Sequence, residues 1–437
     1  MGLVFEHIRT MLMIPAFLRF SRRRAAAYRT RRLRKVCGYA YRKVGYYRRL
    51  FDEHGLSPSD IKGLDDLSKI PITGRDDLRE VPLKQLLSSD ARPDRMVITK
   101  TSGSSGKPLT IASSRMEKML ERLMWSMFRR YFGNRIWDKG ASIRYLGGGR
   151  APVKPLLRRF VEAIGLFRSL TVSCTLQPEK MYNILSEYRP RWLGGYPGTV
   201  TLLADWMIEN GAGQWPLKCV KVGGEVLTGS MKDRIGRAFG APVYQNYGSH
   251  EFDNIAWGCR ETGLLHTNDT NVIVEVMKED GTHAGPGETG EMVVTSLNRF
   301  SMPFLRYRLG DIVTRGPAAC SCGSACSTID SIQGRKIDTF ILPDGRSFHP
   351  YEIAATVVDT AEWVKQYAIV QEKTERVVLR VVPFFRPPEE EVERIRRDAR
   401  RVLGRGVDFR IEFVSEIEPG PEGKFHVSRS LVARERV

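Results

Sequence analysis

At 437 residues, 42% of them hydrophobic and 9% aromatic, the chain has the size and composition of a soluble protein of two or more domains, and no stretch nears the ~18 apolar residues of a membrane span. Seven cysteines over that length exclude a disulfide scaffold and predict a cytoplasmic protein with reduced thiols. The net charge of +19 invites a nucleic-acid reading, but residues 1–50 hold fourteen Lys and Arg against one acid, Glu6, so the excess is an arm and no nucleic-acid partner is expected.

In that arm "MLMIPAFLRF" precedes "SRRR" and "RTRRLRK". An apolar patch beside a polybasic run suits an anionic membrane, so peripheral attachment at the inner membrane face is one expectation for residues 1–50. A solvated helical face accounts for the same charges. Residues 25–60 read as helical and close in the turn chemistry of "HGLSPSD". "LDDLSKIPITGRDDLRE" holds two helix starts around a proline. "RMVITK" and "LTIAS" are short and β-branched, so they read as strands, with a helix beginning only at "SRMEKMLERLMWSMFRRYF".

Between those strands lies "TSGSSGKP", Thr101 to Pro108. It is not the P-loop of nucleotide triphosphatases. Gly103 and Gly106 stand too close together, and Pro108 follows Lys107 where a magnesium-binding hydroxyl is required. A Gly/Ser/Thr loop still wraps a phosphate through backbone N–H groups and hydroxyls. An exposed hairpin is the plain alternative.

Residues 175–240 alternate helices with short apolar strands such as "RWLGGY" and "LKCVKVGGE", an α/β pattern. Residues 265–315 are rich in strands. After Gly334 come two short strands, a helix, two more strands, the amphipathic helix "EEEVERIRRDARRVLG" and a last strand, "VDFRIEFV". The expected organisation is therefore α/β: the basic helical arm 1–50, a large domain 51–333 and a small, mobile α+β domain 334–437.

Four further islands stand out: "YQNYGSHEFDNIA", "RYRLGDIV", "GRKID" and "PGPEGKFHVSR". Singly, Asp311 reads as a turn residue, Glu251 as a surface acid and Lys424 as a loop lysine. In this order they resemble the adenylate-forming superfamily, in its phenylacetate–CoA ligase-like (CapK-like) branch. The phosphate loop matches Thr101, Ser102, Gly103, Ser104, Ser105, Gly106 and Lys107. The Y-G-x-[ST]-E element matches Tyr247, Gly248, Ser249, His250 and Glu251. The [YF]-R-x-G-D element ends on Asp311, the hinge on Gly334, Arg335 and Asp338, and the terminal G-K on Gly423 and Lys424. "AYRKVGYYRRLF", "DDLSKIPIT", "RPRWLGGYPGTVTLLADWM" and "GGEVLTG" extend the likeness over nearly the whole chain.

The resemblance implies an ATP-dependent enzyme that joins a small carboxylic acid to AMP and then transfers the acyl group, with CoA as the expected acceptor. An amine or a carrier protein is the alternative acceptor, and a non-catalytic, membrane-associated acyl-binding protein is the alternative of another class. It assigns magnesium to Glu251, the ribose hydroxyls to Asp311, a nucleotide contact to Arg335 and the bridge between α-phosphate and carboxylate to Lys424. Gly224, Glu225, Asn246, Tyr247, Gly248 and Ser249 are expected in the binding walls. Two positions depart from the pattern: His250 replaces Ser or Thr near the AMP phosphate, and Ile337 replaces a charged hinge residue. A dimer is compatible with the family.

The cysteines form a second constellation. "CSCGSAC" supplies Cys320, Cys322 and Cys326, while Cys259 and His266 lie in "CRETGLLH". Cys259, His266, Cys320 and Cys322 are the expected tetrahedral set for a structural zinc ion, with Cys326 as the substitute. A reduced cluster without metal is the alternative.

Overall fold

The computed structural model describes residues 17, 19–100, 108–146, 156–354, 358, 361–404, 406–420 and 423–432. The chain divides into two compact units, Met1–Phe132 with Asn246–Ile332, and Gly133–Gln245 with Gln333–Val437.

The first unit is built on an antiparallel sheet. Its strands run Val272–Met277, Thr289–Ser296, Tyr307–Arg315, Thr328–Arg335, Leu265–Thr267 and Asp253–Gly258 from one edge inward, followed by the second half of Val243–Ser249. Thr289–Ser296 is buried along nearly its whole length, which the run "GEMVVTSL" requires. The core joins Leu86, Ile111, Phe252, Ile255, Met292, Val294, Phe304 and Tyr307. The hairpin Val97–Lys100/Thr110–Ser113 pairs Lys100 with Thr110. The helix Arg115–Tyr131 that follows starts on a capping box, in which Ser114 and Glu117 satisfy each other's backbone N–H groups.

The basic segment is a packed element of this unit. Ser21 caps the helix Arg22–Lys43 by accepting the Arg24 N–H. Leu33, Val36, Cys37 and Ala40 of that helix share a core with Leu297, Phe300 and Leu305. Two of its arginines are internal struts. Arg32 is buried and donates to the Leu297 carbonyl and to Asn298, and Arg29 pairs with buried Asp269 at 2.9 Å. Arg22, Arg23, Arg24, Arg31 and Arg34 are exposed. Of the apolar run before them, Phe17 and Phe20 are buried against each other and Phe17 against Tyr28, while residues 11–16 and 18 lie outside the described residues. Among the described residues no helix is long and apolar enough to cross a membrane.

The second unit begins with a parallel sheet in the order Val243–Gln245, Cys219–Val222, Trp192–Gly195, Gly140–Arg144 and Ser169–Ser173. Helices Pro178–Tyr188, Pro197–Glu209 and Gly229–Phe239 alternate with these strands. Parallel strands need crossovers, and the α/β alternation in the sequence supplies them. Residues beyond Gln333 add a four-stranded sheet, Asp408–Phe413, Arg376–Pro383, Val364–Lys373 and Ser428–Ser430. The helix Glu389–Leu403 lays Val392, Ile395, Ala399 and Leu403 into this part's core. Three glutamates open that helix and Arg400 and Arg401 close it, matching its dipole. Gln371 is fully buried. Its amide donates to the Ile341 carbonyl and its oxygen accepts from Ile341 N–H and the Ser430 hydroxyl, tying the hairpin Phe340–Ile341/Ser347–Phe348 to the sheet.

Candidate functional site

The expected phosphate loop, Thr101, Ser102, Gly103, Ser104, Ser105, Gly106 and Lys107, lies outside the described residues. Its two flanking strands are present and paired.

In the first unit, Val243–Ser249 turns into Asp253–Gly258 through His250 and Glu251. Gly248 is obligatory in that turn, because a Cβ there would collide with the Asp253 carbonyl. Asp253 takes a left-handed φ of 59° and is held by the Trp125 indole at 2.8 Å. The tight turn buries Glu251, whose Oε1 lies 3.4 Å from the Tyr307 hydroxyl. Burial and the Glu251 charge push that phenol above its ordinary range. Asp311 follows Gly310, which has a φ of 86°, and one Asp311 oxygen accepts the Tyr247 hydroxyl. The turn and the strand Tyr307–Arg315 thus contribute two carboxylates, each beside a tyrosine hydroxyl. The Asn246 Oδ1 is buried without a hydrogen-bond partner among the described residues, an acceptor suited to an N–H of a bound molecule. His250 is exposed, and Ser249 is turned inward to accept the Phe252 N–H at 3.3 Å.

Lys424 belongs to the second unit, where its loop meets two turns of the parallel sheet. Glu225 accepts the Phe425 N–H through one oxygen and the Gly198 N–H through the other, both at 2.8 Å. Burial pushes the Glu225 carboxyl up to about 7, against the two N–H donors and the Lys424 charge. The Lys424 ammonium stands 5.6 Å from the centre of the Tyr196 ring. A Cβ on Gly224, whose φ is 88°, would come within 3.3 Å of that ring. At the expected hinge, His349 Nε2 lies 3.2 Å from the Arg335 carbonyl and its Nδ1 lies 3.3 Å from the Tyr351 N–H. Tyr196 and Gly198 lie in "WLGGYPGT", a stretch of the resemblance expected to line the pocket, and Phe425 follows the terminal Gly423-Lys424, whereas His349 carries no motif.

The metal-ligand set is in the first unit. The ligand atoms of Cys259, His266, Cys320 and Cys322 all lie within 4.8 Å of one another. Cys259 and Cys320 sulfurs are 3.8 Å apart, and the Cys322 sulfur is 3.3 Å from His266 Nε2. A tetrahedral zinc with Zn–S ~2.3 Å and Zn–N ~2.0 Å sets such atoms roughly 3.5–3.8 Å apart, so the set fits that ion. Burial raises the Cys259 thiol, but hydrogen bonds from Thr262, the Glu261 N–H and His266 bring it below its ordinary range, whereas burial and the neighbouring Cys320 and Cys259 sulfurs push the Cys322 thiol up. Cys326 is buried outside this group.

A family model described as the CapK C-terminal domain matches residues 340–430. Over 406 residues the chain is 26% identical to the phenylacetate–coenzyme A ligase of Thermus thermophilus, covering 87% of each chain. The protein CapK of Staphylococcus aureus is 23% identical over 243 residues, covering 55% of this chain and 53% of CapK. Among solved structures, a 2-hydroxyisobutyryl-CoA ligase in its postadenylation state, in complex with 2-HIB-AMP, matches with a TM-score of 0.71 at 22% identity, over 93% of this chain and 89% of that one. The same ligase with 2-HIB-AMP and CoA in its thioesterification state gives 0.60 at 22% identity, over 95% and 92%. These matches show the expected mixed α/β fold and the likeness to the phenylacetate–CoA ligase and CapK branch.

Proposed function

We propose that this chain, a relative of the phenylacetate–coenzyme A ligases and of CapK, is an AMP-forming carboxylate ligase: it attacks the α-phosphate of ATP with a small carboxylate, releases pyrophosphate and passes the acyl group from the acyl-adenylate to CoA. The observation that carries this reading is the docked Lys424 loop, held by Glu225 and Gly198 with its ammonium near the Tyr196 ring, at the ends of parallel strands. Ligands of open α/β sheets bind at such strand ends.

Two anions must meet in the first step, so alignment and charge neutralisation are the main chemical task. Lys424 is assigned the bridge between the α-phosphate and the attacking carboxylate. Asp311 is assigned the two ribose hydroxyls, since a carboxylate accepts both hydrogen bonds. Glu251 would hold magnesium, which supplies charge to the pyrophosphate leaving group. Asn246 offers the nucleotide an acceptor that has no partner among the described residues. The loop Thr101–Lys107 is assigned the β- and γ-phosphates. Arg335 and Gly334 mark the hinge of a small domain at 334–437, whose rotation would withdraw Lys424 and admit the thiol. Cys259, His266, Cys320 and Cys322 are assigned one structural zinc.

Pyrophosphate release from ATP, screened over a panel of carboxylic acids, tests the assignment. Release with at least one acid, followed by CoA-dependent consumption of the acyl-adenylate, is expected. Consumption by an amine or carrier protein in place of CoA would change the acceptor. No release with any acid would leave a non-catalytic acyl-binding protein.

Peripheral attachment to an anionic membrane is part of the same proposal, supported by the exposed Arg22, Arg23, Arg24 and Arg34 on one packed helix. The protein should co-sediment with vesicles rich in anionic lipid, less so as salt rises, and weakly with neutral vesicles. Changing those four arginines to Gln spares the struts Arg29 and Arg32 and should lower co-sedimentation several-fold. Unchanged sedimentation of that variant would remove this helix as the anchor.

A further inference from the structure

We propose that Glu225 is the positioning residue for Lys424: its carboxylate staples the lysine loop to the first turn of the helix Pro197–Glu209 and so fixes where the ammonium stands. This deepens the function proposed above and rests on it.

The motif alone places Glu225 in a binding wall, facing the substrates. The geometry gives its two oxygens other work. One accepts the Phe425 N–H, immediately after Lys424, and the other accepts the Gly198 N–H, both at 2.8 Å. Gly198 is the second residue of its helix, and Pro197 before it has no N–H to offer. The first-turn N–H of Gly198 has no partner inside the helix, and the helix dipole favours a negative charge at that end. Glu225 therefore meets a need of the helix and holds the loop with the same group. A carboxylate does both at once because it presents two acceptor oxygens and no donor. A glutamine would turn an NH₂ toward one of the two N–H groups.

Packing on both sides of the lysine agrees with this role. The Phe425 ring lies over Gly198, where a Cβ would stand 2.5 Å from the ring and 3.1 Å from a Glu225 oxygen. Before the lysine, Gly423 takes a φ of 69° and packs so closely that a Cβ would collide with the Cys174 sulfur. The residues on either side of Lys424 are thus fixed, one by contact with Cys174 and the other by Glu225 and Gly198. The side chain between them runs past Gly224, with Lys424 Cε within 3.9 Å of the position a Gly224 Cβ would occupy. Of these contacts only the staple is charge-assisted, so it contributes the most per bond.

The test separates positioning from substrate binding. Glu225→Gln and Gly198→Ala are assayed in both half-reactions, beside wild-type protein and Lys424→Ala. Adenylation should fall by roughly tenfold to a hundredfold in both variants, the scale of one lost hydrogen bond to a charged group. The fall should be in kcat, with the KM for ATP little changed. Transfer from supplied acyl-adenylate to CoA should persist. An independent readout is trypsin cleavage after Lys424, followed by the N-terminal sequence of the product. Both variants should be cut several-fold faster than wild type at equal melting temperature, because the loop is no longer held. Equal slowing of both half-reactions, or a raised KM for ATP, would make Glu225 a nucleotide ligand. Unchanged cleavage with unchanged adenylation would overturn the staple. If wild-type protein itself makes no acyl-adenylate while cleavage still depends on Glu225, the ligase reading fails and the staple stands.

Discussion

Replacing Lys424 with alanine should nearly abolish acyl-adenylate formation, by about a hundredfold or more, and leave transfer from a supplied acyl-adenylate to CoA largely intact. In the first step a carboxylate approaches a phosphate, and the repulsion is relieved by a charge that both partners share. A charge-assisted contact made at a transition state is worth ~3–4 kcal/mol, which sets the expected loss. In the second step the nucleophile is a thiol, AMP is the leaving group and no carboxylate has to be drawn to phosphorus. In the proposed mechanism, residues 334–437 move as a small domain, so that the lysine is present for one step and withdrawn for the other. Asp311→Ala should behave differently, slowing both half-reactions, because both hold the same ribose. The pair of variants, each run in both half-reactions, decides the mechanism. Equal slowing by Lys424→Ala would rule out domain alternation. No slowing in either would return Lys424 to an ordinary loop lysine.

The parts of this fold that were legible in the sequence are those set by short-range rules. β-branched runs gave the strands Val97–Lys100 and Thr110–Ser113, and the Ser114–Glu117 capping box marks the helix start that the polarity change at "SRMEKML" predicts. Val392, Ile395 and Ala399 were readable as the buried stripe of their helix from spacing alone, and Leu403 extends that stripe with Val402 partly buried against the same core. Long-range partners were not legible. The basic run reads as an arm because its charge is visible, whereas Leu33, Val36 and Ala40 count as core only once Leu297, Phe300 and Leu305 pack on them, some 260 residues away. Arg32 is the sharpest case: a charge in a polybasic string that ends buried on the Leu297 carbonyl and Asn298. The site divides in the same way. Glu251, Asp311 and Lys424 carry motifs, because chemistry restricts what can stand there. The N–H donations of Gly198 and Phe425 and their double acceptance by Glu225 were hidden, because they depend on which backbone N–H groups the fold leaves without partners. The hinge departure at Ile337 lies outside the described side chains, and the exposed His250 has no structural account.

Protein purified without chelator should carry about one zinc ion per chain, and Cys320→Ser should lower both its metal content and its melting temperature. The four ligand positions come from two hairpin-like segments, Cys259–His266 and Cys320–Cys322, and nothing covalent joins them. His266 is on a strand of only three residues, Leu265–Thr267, paired to Thr328–Arg335 through just two residue pairs, His266 with Thr328 and Leu265 with Ile329. A strand that short contributes little ladder energy of its own. Packing helps: Trp257 faces the His266 ring at 6.0 Å, and Phe128 and Tyr131 pack on Trp257. That does not relieve three cysteine sulfurs gathered within 4.8 Å of a fully buried imidazole. Once thiolates form they repel one another, and a divalent cation reverses the sign of that term. Loss of a metal site is among the changes that cost ~4 kcal/mol or more, and ~1 kcal/mol moves the midpoint of a unit this size by about 2–4 °C. A drop of roughly 10 °C in Cys320→Ser is therefore expected, with the same drop for wild-type protein stripped by chelator and recovery when zinc is returned. Cys326→Ser should keep the metal, because Cys326 stands outside the ligand group. Metal-free protein from a chelator-free preparation, melting no lower than Cys320→Ser, would leave the four residues as a reduced thiol cluster.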